Sequence, residues 1–277
     1  MTKIVVDSAC DISDEVRGRL GLPLVSVPLT LQLGDTVYQD DETLDVDTYL
    51  YDMDRSRTVK TAAPSPGRFL AAFGGDESVF SVTVSSKLSG TFGSASLARQ
   101  MYLDDVGRKF IHVFDSLSAS VGETLIALKI GAFAREKLDE AEIVERVNGF
   151  ISGLKTFFLL DKFDAIVKSG RMSPAVAVVA SLLNIKPICA GVDGKMVMLD
   201  KARGHKKAVE RLIEMIIEQK LDFENRILGI SHCKCPEKAE SIRDAIMARV
   251  PFCDAIILTS SGLCSTYANR GGVILAY

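Results

Sequence analysis

The segment Ser85-Ser86-Lys87-Leu88-Ser89-Gly90-Thr91 has the residue types and spacing to hold a small anion. It follows an apolar run, Val79 to Val84, and leads into a stretch, 91–101, whose pattern predicts a helix. Hydroxyls then gather where the first backbone N–H groups of a helix lack intrahelical partners and its dipole is positive. Phosphate or carboxylate suits such a place. Capping of the helix by one serine accounts for the same residues without a ligand. A second hydroxyl segment is Thr58-Val59-Lys60-Thr61-Ala62-Ala63-Pro64-Ser65-Pro66. Small residues after Thr61 leave its hydroxyl unshielded, although the stretch also reads as a turn leading into a helix with Ser65 as cap and Pro66 at its first position.

Catalytic patterns are absent from the sequence. The three histidines, His112, His205 and His232, neighbour no nucleophile along the chain. There is no Gly-x-Ser-x-Gly elbow, phosphate-binding Walker loop or Gly-x-Gly-x-x-Gly turn. His232-Cys233-Lys234-Cys235 offers soft ligands, but a tetrahedral site needs a second pair that the sequence lacks. Neither metal nor cofactor is expected. Asp40-Asp41-Glu42 reads as a solvated turn.

Short β-rich runs that alternate with helical stretches must position these segments. Ile4-Val5-Val6, Leu24 to Leu33 (irregular at Pro28), Val79 to Val84 and Phe110 to Phe114 read as strands. Helices are expected over 47–53, from Ser65, over 91–101 and over 121–138. The second half repeats the style. Helices are expected over 141–154, 174–183, 206–220 and 236–249. Strands are expected over 156–160, 185–189, 195–199, 227–231, 255–259 and 273–277, with Val192-Asp193-Gly194 as a hairpin turn. The alternation predicts an α/β fold with parallel sheets and helices on their faces, and ligands at the carboxyl ends of the strands. A change of style near 155–165 divides the chain into halves, 1–157 and 158–277. No low-complexity linker separates them, so they should pack closely.

Composition narrows the function. Among 277 residues, 33 Lys and Arg stand against 36 Asp and Glu, a net charge of −3 that gives no basic excess for nucleic acid. The 47% of hydrophobic residues exclude a disordered chain. The longest apolar run, Pro174 to Leu183, is broken by Asn184 and Lys186, well short of the roughly 18 residues a membrane span needs. The opening Met-Thr-Lys-Ile-Val-Val-Asp meets an acid before a signal-peptide core can form, so a cytoplasmic location is expected. Six scattered cysteines read as reduced thiols.

Six motifs in order resemble the marks of the DegV family: Ile4-Val5-Val6-Asp7-Ser8, Thr61-Ala62-Ala63-Pro64-Ser65, Ser85 to Thr91, Asp115-Ser116, Lys168-Ser169-Gly170-Arg171-Met172-Ser173 and Leu183-Asn184-Ile185-Lys186-Pro187. The likeness runs from residue 4 to the last. It implies two closely packed α/β domains of the DegV type, one unit over 3–277, with a lipid pocket between or within them. It also implies a non-enzymatic protein that binds a long-chain fatty acid and presents it, as the FakB-like subunit of a fatty acid kinase system does, to a separate kinase. The carboxylate would then be held by the Thr61 and Ser89 hydroxyls with the Gly90 and Thr91 amides, without a salt bridge, and Ser86 would be a neighbour. Arg171 and Arg203 match family arginines and, with Tyr267, would contact the partner or a phosphate. A 16-carbon tail offers on the order of 10 kcal/mol gross, at about 0.8 kcal/mol per buried methylene, before association costs. Phe69, Phe73, Phe92, Phe157, Phe158 or the 175–183 helix are candidates to line the tail pocket.

The chain departs from the family pattern where Thr61-Ala62-Ala63-Pro64-Ser65 replaces Thr-Ser-Gln-Pro-Ser and Ser169-Gly170-Arg171 replaces Gly-Gly-Arg. It departs again where Tyr267-Ala268-Asn269-Arg270-Gly271 stands in place of His-x-Gly-Pro-Gly. Tyr267 keeps a hydrogen-bond donor there and Arg270 adds a cation. Two rival readings stand beside the carrier: a phosphate- or sugar-phosphate-handling enzyme using the same helix start, and a DegV-like protein with an altered or lost ligand.

Overall fold

The computed structural model describes residues 1–277. The chain runs β1 (Thr2–Asp7), α1 (Asp14–Leu20), β2 (Leu24–Val27), β3 (Thr30–Leu33), β4 (Thr36–Gln39), α2 (Val46–Arg55), β5 (Val59–Ala62), α3 (Pro66–Ala72), β6 (Ser78–Thr83), α4 (Thr91–Asp105), β7 (Ile111–Asp115), α5 (Val121–Arg135) and α6 (Glu140–Gly153). It continues through β8 (Thr156–Leu159), α7 (Asp164–Lys168), α8 (Pro174–Ser181), β9 (Ile185–Val192), β10 (Lys195–Arg203), α9 (His205–Glu218), β11 (Ile227–His232), α10 (Pro236–Met247), β12 (Asp254–Thr259), α11 (Gly262–Ala268) and β13 (Val273–Ala276).

Three sheets result. The first, β2-β1-β6-β7, is wholly parallel, as the strand–helix alternation predicts. The six-stranded sheet β10-β9-β8-β13-β11-β12 corrects that expectation for the second half, because only β11 and β12 run parallel within it. The cause is local. Asp193 and Gly194 both adopt positive φ, 49° and 77°, the geometry of a two-residue hairpin turn, so β10 folds back on β9. Short α11 then returns β13 antiparallel between β8 and β11. The third sheet, β4-β3-β5, is a small antiparallel one.

Leu24 to Leu33 is two strands in two different sheets. Pro28 has no N–H to give to a ladder, and the chain changes sheet there. The turn expected around Thr61 is strand β5, in which Val59 and Thr61 are half-buried and Lys60 and Ala62 exposed. Helix α8 ends at Ser181, and Leu182 and Leu183 are exposed. No helix is long and apolar enough to cross a membrane.

The main core joins both halves: Ile4, Val82 and Leu31 share a cluster with Phe158, Leu160, Leu258 and Ile274. Strand β8 shows why. Successive side chains of a strand point to opposite faces, so Phe157 and Leu159 pack with Leu212 and Ile242 on one side. Phe158 and Leu160 turn to the shared core on the other.

Candidate functional site

Into that shared core opens a cavity of about 600 Å³, mouth included, between the two halves. Apart from Thr61, Ser89, Arg171 and the hydroxyl end of Tyr267, every lining residue is apolar; Leu29, Val84, Ala119, Phe158, Ile166 and Met196 are among them. The polar groups are gathered. Thr61 Oγ1 and Tyr267 Oη lie 2.7 Å apart, and Arg171 Nη1 donates to Tyr267 Oη at 3.1 Å with its charge 5.2 Å above the Tyr267 ring. Arg171 Nε donates to the Leu88 carbonyl at 2.6 Å, which ties the guanidinium to the residue before Ser89. Ser89 Oγ is 2.8 Å from Thr91 Oγ1. Arg171, expected as a partner contact, therefore stands among the hydroxyls, and a cation is present where neutral donors alone were expected.

Thr61 is presented by register: β5 pairs with β3 so that Thr61 sits opposite Leu31. The other expected site residues are placed as follows. Thr91 is buried at the start of α4 and bonds to Ser89; Gly90 precedes it, exposed. Ser86 is exposed and gives its N–H to Asp115 Oδ1 at 3.0 Å. Arg203 is exposed at the end of β10. None of these four lines the cavity. Buried Ser85 spends its hydroxyl on the Gly194 carbonyl at 2.8 Å, which docks the β9–β10 hairpin on the loop. Of the residues considered for the tail, Phe158 lines the cavity; Phe69 and Phe73 pack in a separate core with Val5 and Ala95, and Phe157 faces the far side of its sheet.

Sequence reasoning missed the carboxyl groups that hold the walls. Asp7, the last residue of β1, accepts from Ala9 N at 2.9 Å and from Val84 N at 2.8 Å, and Ser8 Oγ accepts from Leu29 N at 3.0 Å. Ala9, Val84 and Leu29 all line the cavity. Asp11 accepts from the Ser120 and Ser231 hydroxyls and from Ser261 N. Asp40 is not in a solvated turn: it is 4% exposed and accepts from Gly262 N at 2.8 Å and Leu263 N at 3.0 Å. It thereby caps α11, the helix that carries Tyr267. A side chain at Gly262 would collide with Leu44, Asp40 and Leu31 at 2.3–2.9 Å, so only glycine lets the helix start so close. Asp40→Ala leaves two buried N–H groups unpaired, each costing about 1–3 kcal/mol. The expected result is a melting temperature lower by roughly 4–24 °C, at about 2–4 °C per kcal/mol for a chain of this size, read by circular dichroism.

Burial makes these acids hold their protons. It pushes Asp7 up to about 7 and Asp40 to about 6, and raises Asp11. Glu123 goes well up, through burial first and the neighbouring Asp7 and Asp11 second. The folded protein thus keeps protons that the unfolded chain has released above about pH 4. Stability should fall as pH rises through the Asp40 and Asp7 values, the reverse of the usual carboxylate trend. Urea midpoints should be higher at pH 5 than at pH 8; a rising or level series refutes this. No group of three His, Cys, Asp or Glu is placed to hold a metal ion.

Comparison with known proteins adds to this geometry. A family model described as "Uncharacterised protein, DegV family" matches residues 1–277. A DegV domain-containing protein of Streptococcus pyogenes serotype M18 is 38% identical over 279 residues, spanning 99% of this chain and 98% of its own. A DegV family protein from Ruminococcus gnavus, solved with vaccenic acid, superposes with a TM-score of 0.94 at 34% identity, covering 100% of this chain and 99% of its own. The Streptococcus pneumoniae fatty acid kinase B3 protein, loaded with linoleic acid, gives 0.91 at 34% identity with the same coverage.

Proposed function

This chain belongs to the DegV family, and we propose that it is a carrier that binds one long-chain fatty acid and offers the carboxylate to a separate kinase. The observation that carries the reading is the cavity itself: apolar along its walls, with Thr61, Tyr267, Arg171 and Ser89 gathered as its polar groups. Walls of this kind reward hydrocarbon and give a sugar nothing to bond to. The acyl chain lies between the halves 1–157 and 158–277. Its carboxylate accepts from Ser89 and from the hydrogen-bonded Thr61–Tyr267 pair, which has one hydroxyl proton left to give, and Arg171 behind Tyr267 supplies the counter-charge a buried anion needs. Tyr267 takes the place of the family histidine as donor. Nothing in this role calls for a catalytic base, a metal or a cofactor; the transfer belongs to the kinase, which docks on a surface that includes the exposed Arg203, in the cytoplasm. The fatty acid complexes of the relatives from Ruminococcus gnavus and Streptococcus pneumoniae support the reading.

The test is extraction of protein purified from a bacterial host, followed by mass spectrometry. About one long-chain acid per chain is expected. Protein that yields none and also refuses added oleate and palmitate would end the proposal. Addition of a cognate kinase and ATP should convert the bound acid to its acyl phosphate, and Arg203→Glu should slow that step without changing oleate affinity.

A further inference from the structure

Outside the acyl cavity, a groove of about 810 Å³, mouth included, lies where α1, α5 and α6 meet the start of β11 and Tyr277. Its floor is apolar, with Leu125 and Leu128 of α5, Phe150 of α6 and Ile227. Four cations line it, Arg19, Lys129, Arg135 and Arg226, and no Asp or Glu does. Arg19 is already neutralised by Glu15 at 2.7 Å and Asp254 at 2.5 Å. The other three have no carboxylate within 4 Å. Lys129 rests 5.5 Å over the Phe150 ring. Arg135 Nη1 donates to the Leu20 and Arg19 carbonyls at 2.7 and 3.0 Å, and Arg226 Nη1 to the Gly153 carbonyl at 3.2 Å. Carbonyls and a ring thus hold the side chains in place without cancelling their charge. Tyr277, another lining residue, is 1% exposed and its hydroxyl has no partner.

Three uncompensated cations on one groove, in a chain whose net charge is −3, repel each other at a cost that an anion would remove. A phosphate monoester suits them better than a carboxylate. It carries about −1.5 to −2 charge at neutral pH and three acceptor oxygens, and guanidinium groups pair with phosphate through parallel N–H bonds. The floor between the cations favours a ligand with an apolar body. We propose that this groove binds a phosphate monoester carrying an apolar group, at a site separate from the acyl cavity.

The test uses the full chain saturated with oleate, titrated with 1-naphthyl phosphate, 1-naphthoate or inorganic phosphate in a calorimeter. Saturable one-to-one binding of naphthyl phosphate is expected, with the other two at least tenfold weaker. Lys129 makes no hydrogen bond, so Lys129→Glu should fold normally, weaken naphthyl phosphate at least tenfold and leave the oleate content unchanged; Arg226→Gln should act in the same direction. The proposal is overturned by any of four results: no saturable binding, equal binding of naphthoate or inorganic phosphate, unchanged affinity in both variants, or displacement of oleate by the probe. Oleate retention is read separately, so failure here leaves the carrier reading standing; a chain that refuses oleate is titrated without it, so failure of that reading leaves this one standing.

Discussion

Replacing Ala119 with tryptophan is expected to cut the affinity for oleate about 200-fold while leaving that for dodecanoate within about threefold, since an indole that displaces about four methylenes removes roughly 3 kcal/mol of hydrocarbon burial. Ala119 lines the cavity from the loop before α5 and is only half-buried, so the larger side chain has room to be accommodated without opening the core. An acid that never reached the displaced volume loses nothing. The shift in preferred chain length is therefore the signature, more than the loss itself. Equilibrium titration of both acids, with a melt to confirm the fold, reads it. Oleate bound as tightly as before would show that the acyl chain runs elsewhere.

The α/β class, the closeness of the two halves and most elements were legible because periodicity is a local property. The long helices α5, α9 and α10 and the apolar strands were found within a few residues of their ends. What could not be read was the pairing of strands, which depends on contacts distant in sequence. The six-stranded sheet is mainly antiparallel because short α11 turns the chain back, and seven residues with buried Gly262, Cys264 and Thr266 carry no amphipathic stripe to announce a helix. Strand β5 was hidden for a related reason: four residues, Val-Lys-Thr-Ala, alternate too briefly to outweigh the turn-forming Pro64 that follows.

The site divides in the same way. Thr61, Ser89, Arg171 and Tyr267 were each named from the sequence, and the structure brings them to one cavity. Their roles relative to one another were not readable. Arg171 and Tyr267 are 96 residues apart, and only the docking of α11 on Asp40 and of the Leu88 carbonyl on Arg171 makes them neighbours. Asp40 looked solvated beside Asp41 and Glu42 because burial of one acid in an acidic run leaves no trace in composition. Asp7 offered a signal: a carboxylate at the end of an apolar strand lies where adjacent strand ends leave amides free, and it bonds two of them.

The polar end of the cavity leads to the second large effect. Arg171→Met should weaken oleate about 100-fold, because removing the cation that faces a buried anion costs about 2–5 kcal/mol. Oleyl alcohol, which carries the same tail and no charge, should lose less than about threefold in the same variant. Arg171→Lys should not restore oleate. The Arg171 fork spans the Leu88 carbonyl through Nε and Tyr267 Oη through Nη1 at once, and a lysine ammonium is a single point that cannot do both. Tyr267→Phe removes the link between Thr61 and Arg171 and should cost about tenfold on its own, in the range of 0.5–1.5 kcal/mol for one hydrogen bond. The two losses should not add. Arg171 Nη1 polarises the Tyr267 hydroxyl, so once the cation is gone that hydroxyl has little left to contribute and the double variant should be little worse than Arg171→Met alone. Full additivity, or equal losses for the acid and the alcohol, would mean that Arg171 shapes the wall rather than answering the charge.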